Sequence, residues 1–379
     1  MTGPMTPAVP LPPLPALPAL PGGLDTPALV VFVERVRANV EGLQRELDSR
    51  SIALRPHVKT HKSVRLANLQ LGAGARGITV GTIGEAETFV AAGIGDVFIA
   101  YPVWASAEKA TRIAALHDAT PDLRIGVDSA AGADALAAAV SGSRRRLRVL
   151  VELDSGHHRT GVEGAEAVLD VARAARDAGL DVEGVFTHGG HGYRPGEREH
   201  AARDEVETLA AAAAALEADG FEVGTRSAGS TPTMILAAAT DQVDEIRAGT
   251  YALGDRQQLS LGAIEPDGIA CAVAATVVSA TEDRLVVDAG AKALTKDRAD
   301  HLAGFGLVPA YPDLLIERLS DYHGVVVVPP GAPRPVLGEV VAVVPNHICP
   351  VVDLRDSFVA VLGDGTTENW PVDARGRSG

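Results

Sequence analysis

The sequence is first informative for what it lacks. Two cysteines in 379 residues, Cys271 and Cys349, cannot build a disulfide framework. The chain therefore reads as a reduced, cytoplasmic protein. No stretch approaches the ~18 consecutive apolar residues that a membrane span needs. Basic charge is short: 34 Lys and Arg stand against 49 Asp and Glu, a net charge of −15. A surface of that sign is not built to neutralise a phosphate backbone, which excludes nucleic acid as a partner. Any anionic ligand must be held by a local site. Residues 1–22 carry eight of the 24 prolines but have neither a basic start nor a continuous apolar core. They are no signal peptide. A Pro/Leu/Ala tract lacks backbone donors, so residues 1–23 read as a disordered tail, with a partner-binding peptide as the alternative.

What is present is a foldable chain. With 46% hydrophobic residues, global disorder is excluded. The length suits two domains, or one large barrel with an appendage. Residues 27–33 form a β-branched, buried run. Residues 34–50 have helical period, with Val36, Val40, Leu43 and Leu47 on one face. Eight β-rich runs follow, at 52–59, 77–82, 97–102, 123–129, 148–155, 182–189, 222–229 and 245–251. Segments of helical period separate nearly all of them, such as 84–92, 105–117, 164–178 and 197–218. Such alternation demands parallel strands with crossover helices. Eight units predict an α/β fold, a (β/α)₈ TIM-type barrel over 24–258. The alternative, an open doubly wound sheet, would place a G-x-G-x-x-G after its first strand, and none is there. Beyond Tyr251 helical period nearly vanishes. Strands at 271–280, 284–288, 324–328, 336–344 and 357–362 predict a C-terminal all-β domain over 259–372, joined by the 27–33 strand. Residues 373–379 read as a disordered tail.

The chemistry-bearing residues cluster at the ends of these strands. On an extended 55–62 segment, R-P-H-V-K-T-H-K, residues two apart share a face. His57, Lys59 and His61 would then point into the barrel. A desolvated lysine has a lowered pKa and makes a Schiff-base nucleophile. Further clusters end strand five (154–161, D-S-G-H-H-R-T-G), strand six (187–193, T-H-G-G-H-G-Y), strand seven (227–233) and strand eight (248–251, A-G-T-Y). Barrels bind phosphate on the loops after strands seven and eight. Gly229, Ser230, Thr231, Gly249 and Thr250 suit that task, with Tyr251 beside them. A lysine on the first strand opposite such loops describes pyridoxal 5'-phosphate. In the β domain, His347 and Cys349 are two apart in P-N-H-I-C-P, so on an extended segment both point the same way. Imidazole and thiolate suit zinc better than magnesium or calcium. Two ligands leave positions open for water or substrate.

Taken together, R-P-H-V-K-T-H-K (55–62), D-S-G-H-H-R-T-G (154–161), T-H-G-G-H-x-Y (187–193), G-S-T-P-T (229–233) and P-N-H-x-C-P (345–350) resemble the D-serine dehydratase and D-threonine aldolase group, relatives of the alanine racemase barrel. The likeness runs from Leu24 to about Asp364. The resemblance implies a lyase with pyridoxal phosphate on Lys59 and a divalent metal (zinc, or manganese or magnesium) on His347 and Cys349. It implies His188 against the pyridine ring and Arg159 near the phenolic oxygen. Tyr193 would stand near the substrate, and Gly229, Ser230, Thr231 and Gly249 on the phosphate. Cysteine as second metal ligand points to the dehydratase branch, since several aldolases carry a carboxylate there. The lead expectation is β-elimination of water from a small-molecule D-β-hydroxy amino acid such as D-serine, giving a keto acid and ammonia. The alternative is D-threonine-type cleavage to glycine and an aldehyde, with His57, His61 or His191 as base; the sequence does not choose among the three. A non-catalytic cofactor carrier and a racemase rank lower, because neither needs a metal. Relatives of this kind imply a homodimer.

Overall fold

The computed structural model describes residues 17–379. Its strands, in chain order, are β1 (Ala28–Phe32), β2 (Ala53–Leu54), β3 (Ile78–Val80), β4 (Asp96–Pro102), β5 (Asp122–Val127), β6 (Arg148–Leu153), β7 (Asp181–Thr187), β8 (Thr225–Ala228) and β9 (Glu245–Ile246), followed by β10 (Cys271–Ala280), β11 (Arg284–Val287), β12 (Leu315–Leu319), β13 (Gly324–Val327), β14 (Val340–Val343), β15 (Ser357–Val361) and β16 (Thr367–Pro371). The chain divides into two compact units. One holds the residues up to Val40, Thr60–Ser63 and Thr250–Arg375; the other holds Glu41–Lys59, Val64–Gly249 and Gly376–Gly379.

The second of these units is the barrel. Its strands are parallel and run β2-β9-β8-β7-β6-β5-β4-β3. A bridge from His57 to Thr79, with Thr79 N–H donating to Pro56 O at 2.8 Å, joins the two edges and closes the ring. Helices such as Gly164–Asp177 and Arg198–Ala218 make the crossovers. Strands covered on both faces must be apolar throughout. Val149, Leu150 and Val151 are accordingly all fully buried. Phe98, Leu150 and Phe186 form one cluster, with Phe98 edge-on to Phe186 at 5.0 Å. Charge also enters the interior in balanced form. Buried Arg55 meets Glu245 at 2.7 Å and Asp96 at 2.5 Å, and Arg124 meets Asp96 and Glu183.

The other unit is built on a mixed sheet, β12-β13-β11-β10-β1-β15-β16, with β14 also on β10. The first strand of the chain pairs antiparallel with β10 and parallel with β15. This unit takes over at Thr250 rather than at residue 259. The reason is local: Arg256 and Gln257 donate their N–H groups to Pro345 and Asn346 carbonyls. Among the described residues, no helix is long and apolar enough to cross a membrane.

Three expectations need correction. The segment after β2 is not extended through residue 59. Pro56 has no N–H for a ladder, and Val58–Thr60 closes into a 3₁₀ turn. Residues 373–379 are not a loose tail: Ala374 is buried, and Gly379 O accepts from Gly84 N–H and Arg112. Of the proline tract, residues 1–16 lie outside the described residues. Leu17, Leu20 and Leu24 pack against the Val30, Phe32 and Ala274 cluster, so residues 17–23 are not a free tail.

Candidate active site

The C-terminal ends of the barrel strands surround a cavity of about 390 Å³. The segment after β2 contributes His57 and Lys59, and β4 contributes Ala100 and Tyr101. The loop after β6 contributes Arg159 and Thr160. Phe186 lies on β7 and His188 directly follows it, Gly229 follows β8, and Arg247 follows β9. This is the end of the barrel at which such folds place their chemistry. A larger cavity of about 710 Å³ lies in the other unit. It is lined chiefly by apolar groups such as Leu17, Leu20, Pro309 and Val341, and holds none of the candidate residues.

Lys59 is exposed on its 3₁₀ turn, not desolvated as expected. The segment is not extended here, yet His57 and Lys59 still reach the same cavity. Burial, and then the cations Lys59 and Arg247, hold His57 well below the usual histidine range. His188 is lowered in the same way, by burial first and Lys59 second. Its Nδ1–H donates to Gly229 O at 2.7 Å, leaving Nε2 as the bare nitrogen of a neutral ring. The His157 ring stands edge-on to it at 5.7 Å, and the Tyr193 ring lies 6.2 Å away.

Arg159 arrives on a loop folded back against its own strand. Asp154 Oδ1 accepts from the N–H groups of Gly156 and His158, and Val162 bridges to Leu153. The return is possible only at glycine: Gly161 has φ +99°, and a Cβ there would lie 2.6 Å from Leu153 carbonyl carbon. Beneath the loop, Thr160 donates to Glu152 at 2.9 Å, and Arg159 comes within 4.0 Å of the same carboxylate. Burial pushes Glu152 up to about 7.

Sequence reasoning missed Arg247. Its side chain is buried, donates to Ser227 Oγ and Thr187 O at 2.5 Å each, and lies 5.2 Å from the Phe186 ring centre. Burial pulls it down to about 10. Period-two alternation from inward Glu245 was the available signal. Of the other candidates, His61 is fully buried and accepts from Ser63 N–H, and His191 Nε2 lies 3.0 Å from Asp204. Neither lines the cavity.

The Gly229–Thr231 turn fits a phosphate. A Cβ at Gly229 would lie 2.7 Å from Arg247 N, so only glycine permits the approach. Gly229 itself spends its N–H on Glu205 and its carbonyl on His188. Ser230 Oγ pairs with Thr233 Oγ1 at 2.8 Å. Thr231 Oγ1 is buried with no hydrogen-bond partner, which leaves it for a ligand. Gly249 lies three residues beyond the end of β9, after Arg247 and Ala248. Thr250 and Tyr251 belong to the other unit, in a buried 3₁₀ turn.

His347 and Cys349 also lie in that unit, though not on an extended segment. His347 caps the helix Ile348–Asp353, and Cys349 sits in its first turn. Burial lowers His347, but Cys349, Asp297 and Asp255 outweigh it and raise the imidazole to about 11. Its Nδ1 lies 2.5 Å from Asp297 Oδ2, which leaves Nε2 for other partners. Cys349 Sγ lies 3.5 Å from Thr60 Oγ1. Asp255 accepts from Gln258 and Ile348 N–H and holds the helix start in place. A thiol and an imidazole in an anionic setting fit a soft or borderline divalent ion. Among the described residues, the one group of three such donors within 4.8 Å is Asp154, His158 and Glu163, of which the last two are exposed.

This cavity, on this barrel, defines a class. Residues 31–257 match the family model "Alanine racemase, N-terminal domain", and residues 270–361 match "Putative serine dehydratase domain". D-threo-3-hydroxyaspartate dehydratase of Delftia sp. strain HT23 is 34% identical over 92% of this chain and 97% of its own. Its structure superposes with a TM-score of 0.85, and a cysteine-to-alanine mutant of it has been solved in a metal-free form. D-threonine aldolase of Arthrobacter sp. is 35% identical over 94% of each chain. The crystal structure of D-threonine aldolase from Filomicrobium marinum has a TM-score of 0.86 at 32% identity, covering 93% of this chain and 96% of that one. The chain therefore belongs to the alanine racemase-like, fold-type III pyridoxal-phosphate enzymes. Within them it falls in the lyase branch that holds these dehydratases and aldolases.

Proposed function

We propose that the chain is a metal-assisted dehydratase of D-β-hydroxy amino acids, carried out by Lys59, Arg159 and His188 around one cavity. That convergence at the C-terminal mouth is the observation that supports it. Lys59 would hold pyridoxal phosphate, with His188 against its ring, Arg159 near its phenolic oxygen and the 229–231 turn with Gly249 on its phosphate. When bound, the cofactor supplies an electron sink at the substrate α-carbon. His347 and Cys349 would hold a divalent ion, which when bound would supply a Lewis acid for the β-hydroxyl.

The chain's own groups then have definite tasks. The Lys59 amine is the base for the α-proton. His57 and His188 are held neutral, so neither competes as a proton donor. Arg159 keeps a positive charge at the cavity wall, with Glu152 beneath it. Tyr193, its ring 6.2 Å from that of His188, would stand near the substrate. The thiol and imidazole favour zinc over manganese or magnesium. The same reading takes the protein as a cytoplasmic homodimer.

Aldol cleavage on the same scaffold is favoured by the Arthrobacter relative, named as an aldolase at 35% identity. Cys349 favours elimination. Incubation with D-serine, D-threonine and D-threo-3-hydroxyaspartate, with and without chelator, separates the two. Keto acid and ammonia mark the dehydratase, whereas glycine with an aldehyde marks the aldolase. Borohydride reduction followed by peptide mapping tests Lys59, and an adduct on Lys62, Lys292 or Lys296 would refute it.

A further inference from the structure

Glu205 lies in no sequence motif and does not line the cavity, yet it ties two of the cavity's loops together. It sits on the helix Arg198–Ala218, on the stripe that also buries Ala201, Ala202, Leu209, Ala212 and Leu216. An apolar side chain would be the ordinary occupant of such a stripe. Glu205 is instead a fully buried carboxylate. One oxygen, Oε1, accepts from Gly189 N–H at 2.8 Å and from Gly229 N–H at 3.1 Å. Gly189 directly follows His188, and Gly229 directly precedes Ser230 and Thr231. The approach is tight on both sides. A Cβ at Gly189 would lie 2.6 Å from Glu205 Cδ, and one at Gly229 would lie 2.7 Å from Arg247 N. His188 Nδ1–H to Gly229 O is a second link between the same two loops.

Burying a carboxylate is costly unless its hydrogen bonds are made. Here Oε1 has both of its bonds, from backbone donors at two different strand ends, while Oε2 is buried without a hydrogen-bond partner. The bonds therefore fix a distance between loops. Burial raises the carboxyl's pKa, and in either protonation state a carboxyl oxygen facing both N–H groups can accept from them.

We propose that Glu205 is a positioning residue for the cofactor phosphate: by gripping Gly189 and Gly229 on one oxygen, it sets the 229–231 turn at a fixed separation from His188. This rests on the phosphate reading of that turn given above. The consequence is specific. Glu205 should matter for the part of cofactor affinity that the phosphate contributes, and less for the part contributed by the ring.

The test uses the full chain, stripped of cofactor and titrated with pyridoxal phosphate and with pyridoxal. The readout is the ratio of the two dissociation constants, beside the melting temperature. Glu205→Leu should lower the phosphate advantage by about tenfold or more. Glu205→Gln keeps an oxygen that can accept both N–H groups but puts an amide where the unpartnered Oε2 lies, and should lower it by about threefold. If the leucine variant does not fold, the glutamine variant decides. Equal losses for both ligands would show a merely structural role and overturn the proposal. So would an unchanged or increased phosphate advantage in Glu205→Gln. Thr231→Val separates this inference from the reading beneath it. If that variant lowers the ratio while the Glu205 variants do not, the phosphate turn stands and the role of Glu205 falls. If none of the three lowers it, both fall.

Discussion

Arg55 bridges two carboxylates, Glu245 and Asp96, and that bridge sets what its loss would do. Burial works against its charge, but Glu245 and Asp96 outweigh the burial and raise its pKa. Arg55→Met would strip Glu245 of its ion-pair partner and leave Asp96 with Arg124 alone. Breaking a buried pair from one side costs about 3–5 kcal/mol, so denaturant unfolding should show a loss of that order. Arg55→Lys should recover only part of it, because an ammonium cannot form the fork to two carboxylates. Glu152 carries the opposite sign. Its carboxyl is pushed by burial from 4.5 up to about 7. Between those values the folded chain keeps a proton that the unfolded chain has released. Stability therefore falls as pH rises through that window. Glu152→Gln should remove this dependence, and gain on the parent by on the order of 3 kcal/mol at about pH 8 relative to about pH 4. Urea unfolding at both pH values checks it, and a parallel pH profile for parent and variant would refute it.

At the scale of elements, the loop after β6 is constrained by a single residue. Gly161→Ala places a methyl 2.6 Å from Leu153 carbonyl carbon and forces an alanine to φ +99°. The strain should cost about 1–3 kcal/mol. It should also lift Arg159 and Thr160 from the cavity wall, so that pyridoxal-phosphate affinity, followed by visible absorbance, drops together with the melting temperature. This loop also shows what a sequence can and cannot disclose. The barrel was legible because strand and helix periods alternate over some two hundred residues, and each strand buries both faces. The first site strand was misjudged in shape. Its residues were chosen by alternation, but Pro56 ends the ladder and a 3₁₀ turn carries Lys59. His347 and Cys349 were legible by type, though a helix start brings them together where an extended segment was expected. Arg247 and Glu205 were not legible as site residues. Their partners, Thr187 and Ser227 in one case and Gly189 and Gly229 in the other, are set by barrel closure and by no local spacing.

At the scale of the whole molecule, each unit has a sheet and a core of its own, and this decides what a metal would do. The unit with His347 and Cys349 buries Leu259, Ile269, Leu307 and Val344 in one cluster and Val30, Phe32 and Ala274 in another. A structural zinc site supplies four protein ligands to a domain that cannot fold without them. Here the unit already has a sheet and an apolar interior, and the pair offers only two ligands. The metal is therefore expected to act in chemistry and not in folding. A chelator should abolish turnover on D-β-hydroxy amino acids while leaving far-ultraviolet circular dichroism and cofactor absorbance unchanged. Cys349→Asp should keep a site but favour harder ions such as manganese or magnesium, because the thiolate is the soft member of the pair. It should also move products from keto acid toward glycine. Full activity in metal-free protein would refute the catalytic role. Unfolding on chelation would make the site structural, and the β-hydroxyl would then need its acid from another residue of the chain.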